Sequence, residues 1–357
     1  MCHEKQVLPM IHFQNKSITR DGPPFVLAEI GVNHNGDVRV AERLIDAAKS
    51  AGADAVKFQL FDAKMLLARQ AGLVAYQEKA ADSVVALLEP LQLTSRQMAC
   101  LIEKAHAENF AAIVTPFSPE LVGACVEMKA DAIKLASPDL VNRPLLEEAI
   151  GTGLPLIVST GAADLGEVER TVGWVFKAGA IERTVVLHCV SSYPTVAEHA
   201  TLAAVSVLRQ RFPELPIGYS DHTVETLTAA LAVAAGACVL EKHLTFSRGA
   251  AGPDHAASLE AAQFAEYVAF ARLGYAMRGP YVKRAQDLER EVRQQTRQSV
   301  VARRDLKAGT VLTGEMLTVK RPGIGIPAAD WHQALGKTLA KDVAANSILT
   351  PDDLRAT

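Results

Sequence analysis

Eight short apolar runs recur between residue 25 and about residue 245. Most end on a polar or charged residue, and each is followed by a longer Ala/Leu/Glu-rich stretch of helical character. They are Phe25–Glu29, Ala53–Gln59, Ala111–Thr115, Asp131–Leu135, Pro155–Ser159, Thr184–Cys189, Pro216–Ser220 and Ala237–His243. The runs are continuous rather than alternating, the pattern of strands covered on both faces, as in a parallel sheet wrapped by helices. Eight strand–helix units predict an α/β fold of the (β/α)8 TIM-barrel type over a doubly wound sheet. A doubly wound fold advertises a glycine-rich phosphate loop after its first strand. Here the first strand runs into Gly31-Val-Asn-His-Asn-Gly36, with the wrong spacing. A weak repeat, Gly52-Ala-Asp-Ala-Val56 and Gly236-Ala-Cys-Val239, marks two helix-to-strand turns.

The barrel is expected over residues 1–278. Residues 279–298, charged and rich in Gln and Arg, read as a solvated, partly helical linker. Residues 299–357 form a second, β-rich unit with an internal repeat. Asp305-Leu-Lys-Ala-Gly-Thr-Val-Leu-Thr313 matches Asp342-Val-Ala-Ala-Asn-Ser-Ile-Leu-Thr350 at the Asp, Ala, Leu and final Thr. Two half-copies predict a small pseudo-symmetric β domain. Such a size buries little core alone, so it is expected to dock on a neighbour.

The charge balance excludes some function classes. Lys and Arg number 37 against 40 Asp and Glu, a net charge of −3, the wrong sign for a nucleic-acid binder. Leu227–Leu240, the longest candidate span, is Ala-rich and too short to cross a bilayer. The start, Met1-Cys2-His3-Glu4-Lys5, lacks the apolar stretch of a signal peptide. Five widely spaced cysteines, Cys2, Cys100, Cys125, Cys189 and Cys238, make neither a disulfide framework nor a zinc ribbon. A cytoplasmic protein is expected.

In a TIM barrel the active site lies at the C-terminal ends of the strands. Those ends carry Glu29, Lys57, Gln59, Thr115, Lys134, Ser137, Ser159, His188, Ser191, Ser220, His222, Glu241 and His243, among others. Lys57 and Lys134 stand within apolar strand patterns, where an unpaired ammonium is costly. Either they snorkel to the rim and pair with Asp54 and Asp131, or they converge on a small, multiply charged anion such as a phosphorylated carboxylic acid. One of them as a Schiff-base lysine is a rival mechanism. His222 and His243, at the ends of neighbouring strands, together with Glu29 make a candidate divalent-metal site, against the alternative that each bonds locally. His188 beside Cys189 reads as a core or supporting histidine. The loop Arg248–His255 places Asp254 where it can accept hydrogen bonds from sugar hydroxyls, unless it is an ordinary turn.

Taken in order, the motifs resemble the N-acetylneuraminate (sialic acid) synthase family. They are Ala28-Glu29-Ile30-Gly31-Val32-Asn33-His34-Asn35-Gly36, Lys57-Phe58-Gln59, Thr115-Pro116-Phe117-Ser118, Ile133-Lys134-Leu135-Ala136-Ser137, Leu187-His188-Cys189, Tyr193-Pro194-Thr195, Ser220-Asp221-His222-Thr223, Glu241-Lys242-His243 and Gly252-Pro253-Asp254. The C-terminal unit, with Lys320-Arg321-Pro322-Gly323, resembles that family's antifreeze-like (SAF) domain. The resemblance implies condensation of phosphoenolpyruvate with the aldehyde of an N-acylated hexosamine, giving a nine-carbon 3-deoxy-2-keto acid and phosphate. A divalent metal, manganese or magnesium, would polarise the aldehyde.

Carried over residue by residue, the resemblance puts phosphoenolpyruvate on Lys57, Thr115, Lys134, Ser137, Ser191 and Ser220. It puts the metal on His222 and His243, and gives Glu29 an acid/base or orienting role beside the two lysines. Gln59, Tyr193 and Asp254 would contact the sugar. Arg321 would reach its N-acyl group from the partner subunit of a domain-swapped homodimer. Departures are Ser191 where an Asn is common, Pro138-Asp139 where Gly-Glu is common, and Leu60 after Gln59. They leave open the sugar, whether N-acetylmannosamine, its 6-phosphate or a diacetamido sugar of the legionaminic, pseudaminic or spore-coat kind. A Schiff-base aldolase and a non-catalytic binding protein are the remaining alternatives.

Overall fold

The computed structural model describes residues 10–13, 16–68 and 83–355. Cys2 and the reading of the N-terminal residues lie outside the described residues. The chain divides into two compact units, Met1–Pro280 and Tyr281–Thr357.

The first unit opens with two antiparallel strands, β1 (Met10–Phe13) and β2 (Lys16–Thr19). Eight parallel strands follow: β3 (Phe25–Gly31), β4 (Ala55–Leu60), β5 (Ala111–Pro116), β6 (Ala132–Leu135), β7 (Leu156–Ser159), β8 (Thr184–Cys189), β9 (Ile217–Asp221) and β10 (Val239–Thr245). Each pairs with the next, and β10 also pairs with β3, closing the barrel. A two-residue strand, β11 (Leu259–Glu260), extends the pairing of β10. All eight apolar runs therefore become barrel strands. The helices between them carry ordinary stop and start signals. Asp37 caps the helix Val38–Ser50 by accepting the N–H of Arg39 at 2.7 Å. Gly236, at φ +113°, ends the helix Thr228–Ala235 in the left-handed region that glycine enters without a Cβ penalty.

Strand side chains alternate between the helix layer and the barrel interior. The interior residues nearest the N-terminal mouth are apolar, among them Leu27, Ala55, Ile113, Ala132, Ile157, Leu187 and Val239. Ile11, Phe13 and Ile18 of the β1–β2 pair join this cluster and plug that mouth, each side chain contributing roughly 1.5–3 kcal/mol by burial. Asp54 holds the plug to the barrel. It accepts the Val26 N–H at 2.7 Å, pairs with Arg272 at 2.6 Å, and contacts Lys16. The sequence reading does not anticipate this plug. With one end filled, only the C-terminal mouth is left for chemistry. Among the described residues, no helix is long and apolar enough to cross a membrane.

The second unit contains β12 (Ser299–Ala302) and β13 (Leu317–Lys320), paired antiparallel. Its repeat is a pseudo-two-fold. Leu306 and Val343 exchange backbone hydrogen bonds at 2.8 and 2.9 Å. Asp305 accepts the Ala345 N–H at 2.7 Å, and Asp342 accepts the Ala308 N–H at 2.9 Å. Gly309 and Asn346, equivalent in the repeat, both turn with positive φ. Each half thus borrows a backbone donor from the other, so neither half is complete alone.

Candidate active site

Above the apolar plug the barrel interior becomes polar. One cavity of about 370 Å³ at the C-terminal mouth is lined by Lys57, Gln59, Thr115, Lys134, Ser137, Ser191, Tyr193, Ser220, His222, His243 and Asp254. Glu29 lies directly beneath, fully buried and in contact with Lys57. Of the residues given a catalytic, substrate-binding or metal role from the sequence, all but Arg321 are thus brought together. Arg321 is exposed in the second unit, just after β13.

The lysines do not snorkel to Asp54 and Asp131. Asp54 is taken by the plug, and Asp131 by His106 at 2.8 Å and the Ala112 N–H at 2.7 Å. Lys57 instead points inward between Glu29 and Glu241, 3.2 Å from Glu241 Oε1, and Lys134 Nζ is 3.9 Å from that same oxygen. Glu241 also accepts the Ser220 hydroxyl at 2.8 Å. Burial works against every charge here, and the neighbours decide the outcome. Burial lowers the Lys134 pKa to about 8, helped by the Lys57 charge and opposed by Glu241. Burial raises Glu29 to about 7, against the pull of Lys57. For Glu241 burial is outweighed by the two lysine charges, leaving it at about 2. Lys57, caught between two carboxylates, is raised despite its burial.

Several polar atoms around this cluster lack a hydrogen-bond partner. Thr115 Oγ1, Ser159 Oγ, Glu241 Oε2 and His243 Nδ1 are buried, line the cavity and make no hydrogen bond. Groups of this kind are costly unless a ligand satisfies them. Two glycines keep the space open. A Cβ on Gly161 would stand 2.3 Å from Ser191 Oγ and 2.7 Å from Ser137 Oγ, and one on Gly31 would strike Glu29 and Gln59.

His222 and His243 stand with ring centroids 5.4 Å apart, and Tyr193 lies 4.1 Å from the His222 ring. Burial, with His222 and Lys57 nearby, holds the His243 pKa well below its ordinary value, so this imidazole is neutral. His222 Nδ1 bonds the Val190 carbonyl at 2.8 Å, which orients the ring. Burial disfavours a charge on His222, but Cys189 and that carbonyl outweigh it and raise the pKa. The donor set fits a divalent cation in chemistry: two imidazoles, one with an orphaned buried nitrogen. Glu29 does not complete a triad with them, because it is committed to Lys57 and to the Gly31 N–H. Among the described residues no group of three His, Cys, Asp or Glu closes around a metal. Any cation would therefore keep open positions for substrate or water.

Asp254 Oδ2 is 3.6 Å from His243 Nδ1, and burial raises its pKa to about 6. Its loop is pinned by His255, which bonds Thr245 at 2.7 Å and Asn35 at 3.0 Å. The Asn33 amide donates to Ser258 Oγ, and that hydroxyl donates to the Asp254 carbonyl. His188 faces the helix layer, stacked on Tyr219 and bonded to the Ala200 carbonyl at 3.0 Å, a supporting histidine. Glu241 is the functional residue the sequence reading left without a role. Its signal was its spacing: two residues before His243 on one strand, it must face the same way.

Comparison with known proteins supplies the family. Residues 44–283 match the NeuB family model and residues 297–355 the SAF domain model. The N,N'-diacetyllegionaminic acid synthase of Legionella pneumophila is 35% identical over 338 residues, 93% of this chain and 95% of that one. Its namesake in Campylobacter jejuni is 36% identical, over 91% of this chain and 98% of that one. The crystal structure of N-acetylneuraminic acid (sialic acid) synthetase from Leptospira borgpetersenii, in complex with citrate, superposes with a TM-score of 0.72 at 32% identity. It covers 81% of this chain and 96% of that one. A closed barrel with an inward-facing charge cluster, a C-terminal SAF domain and these matches lead to one conclusion: the chain belongs to the NeuB family and is an enzyme of this family of sialic, legionaminic and pseudaminic acid synthases.

Proposed function

We propose that the enzyme condenses phosphoenolpyruvate with the open-chain aldehyde of an N-acylated hexosamine, yielding a sialic-acid-type nonulosonic acid and phosphate. C3 of phosphoenolpyruvate bonds to the aldehyde carbon, and the aldehyde oxygen takes a proton to become a hydroxyl. Water adds to C2, the C2–O bond to phosphate breaks, and the 2-keto group forms. The observation that carries this reading is the cavity floor: two buried ammonium groups beside hydroxyls that make no hydrogen bond, in one cavity with an imidazole pair.

Lys57 and Lys134 neutralise the carboxylate and phosphate, and Thr115, Ser137, Ser191 and Ser220 supply hydrogen bonds. Glu29 gives or takes the proton at the aldehyde oxygen or the attacking water; its pKa near 7 suits both roles. Gln59, Tyr193 and Asp254 hold the sugar hydroxyls. His222 and His243 would hold a manganese or magnesium ion, which when bound supplies Lewis-acid polarisation of the aldehyde. The family resemblance also supports a cytoplasmic, domain-swapped homodimer in which Arg321 of the partner subunit meets the N-acyl group.

The test is phosphate release from phosphoenolpyruvate with a panel of N-acyl hexosamines, in manganese and then in EDTA. Release requiring both a sugar and a metal is expected; release without either overturns the reading. The lowered pKa of Lys134 favours one second reading, a Schiff-base lyase. Borohydride trapping of a keto acid on Lys134 would establish it.

A further inference from the structure

Ser220, Glu241 and His243 line the cavity, so by the alternation of a strand Asp221 on β9 and Lys242 on β10 face the helices. The other helix-side residues of these two strands, Ile217, Tyr219, Leu240 and Leu244, belong to the hydrophobic core. Asp221 and Lys242 are register partners, both side chains are wholly buried, and Lys242 Nζ is 3.2 Å from Asp221 Oδ2. The proposed condensation uses neither. A buried ion pair is a poor device for stability alone, because well-packed apolar side chains in its place do as well or better. Its value lies in what it holds in place.

Both charges close on Thr223. Asp221 Oδ1 accepts the Thr223 N–H at 2.8 Å, and the Lys242 ammonium donates to the Thr223 carbonyl at 2.5 Å. From the helix side, the Thr228 hydroxyl donates to Asp221 Oδ2 at 2.5 Å, and the Tyr267 ring centroid lies 5.3 Å from the ammonium. Thr223 directly follows His222, the first residue past the end of β9, where the ladder to β10 has stopped. Lys242 directly precedes His243 on β10. The ion pair therefore ties the backbone that carries His222 to the strand that carries His243, from behind the sheet. The hydrogen bonds of His222 with the Val190 carbonyl and the Thr195 N–H lead instead to the loop after β8. The two imidazoles come from different strands, and their 5.4 Å separation depends on such a tie.

We propose that Asp221 and Lys242 are positioning residues that set the spacing of the imidazole pair, and with it the affinity of the site for a divalent cation, without touching cation or substrate. The inference rests on the reading of His222 and His243 as metal ligands and adds a supporting pair to it. Groups that orient metal ligands typically contribute about 10–100-fold to metal affinity.

The experiment titrates the whole enzyme calorimetrically with manganese alone and, separately, with phosphoenolpyruvate alone. Lys242→Met by itself would strand a buried carboxylate and endanger the fold, so both charges are removed together in Asp221→Asn/Lys242→Met. With circular dichroism native, this double variant should bind manganese about tenfold more weakly or worse, while its phosphoenolpyruvate Kd stays within about twofold of native. Thr228→Val changes no charge and removes one hydrogen bond from Asp221; it should weaken manganese roughly threefold, with the same selectivity. The double variant decides the matter if it folds, and Thr228→Val decides it otherwise. Unchanged manganese affinity makes the pair merely structural, and equal losses for both ligands mark a general loosening of the barrel; either overturns the inference. A native enzyme that binds no manganese, or a His243→Ala variant that binds it as well as native, overturns the metal reading itself, and this inference with it.

Discussion

Glu241→Gln tests the electrostatics of the floor most directly, because it keeps the side chain's shape and removes one charge. Lys57 retains Glu29 as a partner, whereas Glu241 is the carboxylate within ion-pair distance of Lys134 among the described residues. At 3.9 Å a unit charge contributes about 4 kcal/mol for an effective dielectric of about 20, or about three pKa units. A carboxylate favours the ammonium form, so its loss lowers the Lys134 pKa, from about 8 toward roughly 5. At pH 7.5 the native Lys134 is about three-quarters charged, while in the variant it is almost wholly neutral. Phosphoenolpyruvate should therefore bind more weakly to the variant at pH 7.5. At pH 5 the order reverses, since about half of Lys134 is charged even in the variant and a repelling carboxylate has gone. Calorimetric titration of both enzymes with phosphoenolpyruvate from pH 5 to 9 reads this as two affinity curves that cross. The phosphate's own ionisation near pH 6 affects both alike. A break that stays near pH 8 in the variant, or tighter binding at every pH, would refute the reasoning.

Three further outcomes follow from named contacts. Lys57→Ala and His243→Ala should each abolish sugar-dependent phosphate release while circular dichroism stays native; normal turnover by either removes the role given to that residue. Gly161→Ala pushes a methyl against the Ser137 and Ser191 hydroxyls and should weaken phosphoenolpyruvate binding about tenfold, read by direct titration; unchanged affinity would show that those hydroxyls do not touch the substrate. Gly252→Ala would set a Cβ 2.7 Å from the His255 ring, disturbing the pin beneath Asp254. It should raise the KM for the sugar and leave that for phosphoenolpyruvate; equal effects on both would remove Asp254 from sugar binding.

The barrel was legible because a strand buried on both faces leaves little room for polar residues, so the exceptions stand out. Lys57, Lys134 and the two histidines were visible for that reason. Their partners were less so. The acidic residues nearest in sequence, Asp54 and Asp131, accept backbone N–H groups at the starts of their strands, and Lys57 pairs instead with Glu29 on the neighbouring strand and Glu241 on β10, 28 and 184 residues away. Only the period-two alternation of a strand, applied to β3 and β10 together, would have placed both glutamates inside. The β1–β2 plug escaped because its strands are four residues each, with too few positions to display a period. In the second unit the repeat was readable because its aspartates and turn residues act on backbone groups, and such roles tolerate few residue types.

The four buried charges also account for one another. Two ammonium groups and two carboxylates inside one barrel leave the free site close to neutral, which makes their burial tolerable. A substrate bearing both a carboxylate and a phosphate upsets that balance and must be compensated on arrival. A proton on Glu29 compensates part of it at little cost, because its carboxyl titrates near pH 7 and a neighbouring anion raises that value further. Protonation also releases Lys57 from its contact with Glu29 and frees the ammonium for the incoming anion. In the proposed condensation the proton then sits on Glu29 when the aldehyde oxygen, on becoming a hydroxyl, requires one. In the proposed condensation, burial and the neighbouring charges together set up both the anion site and the general acid, since the same desolvation that raises Glu29 strengthens its pairing with Lys57 until substrate replaces it.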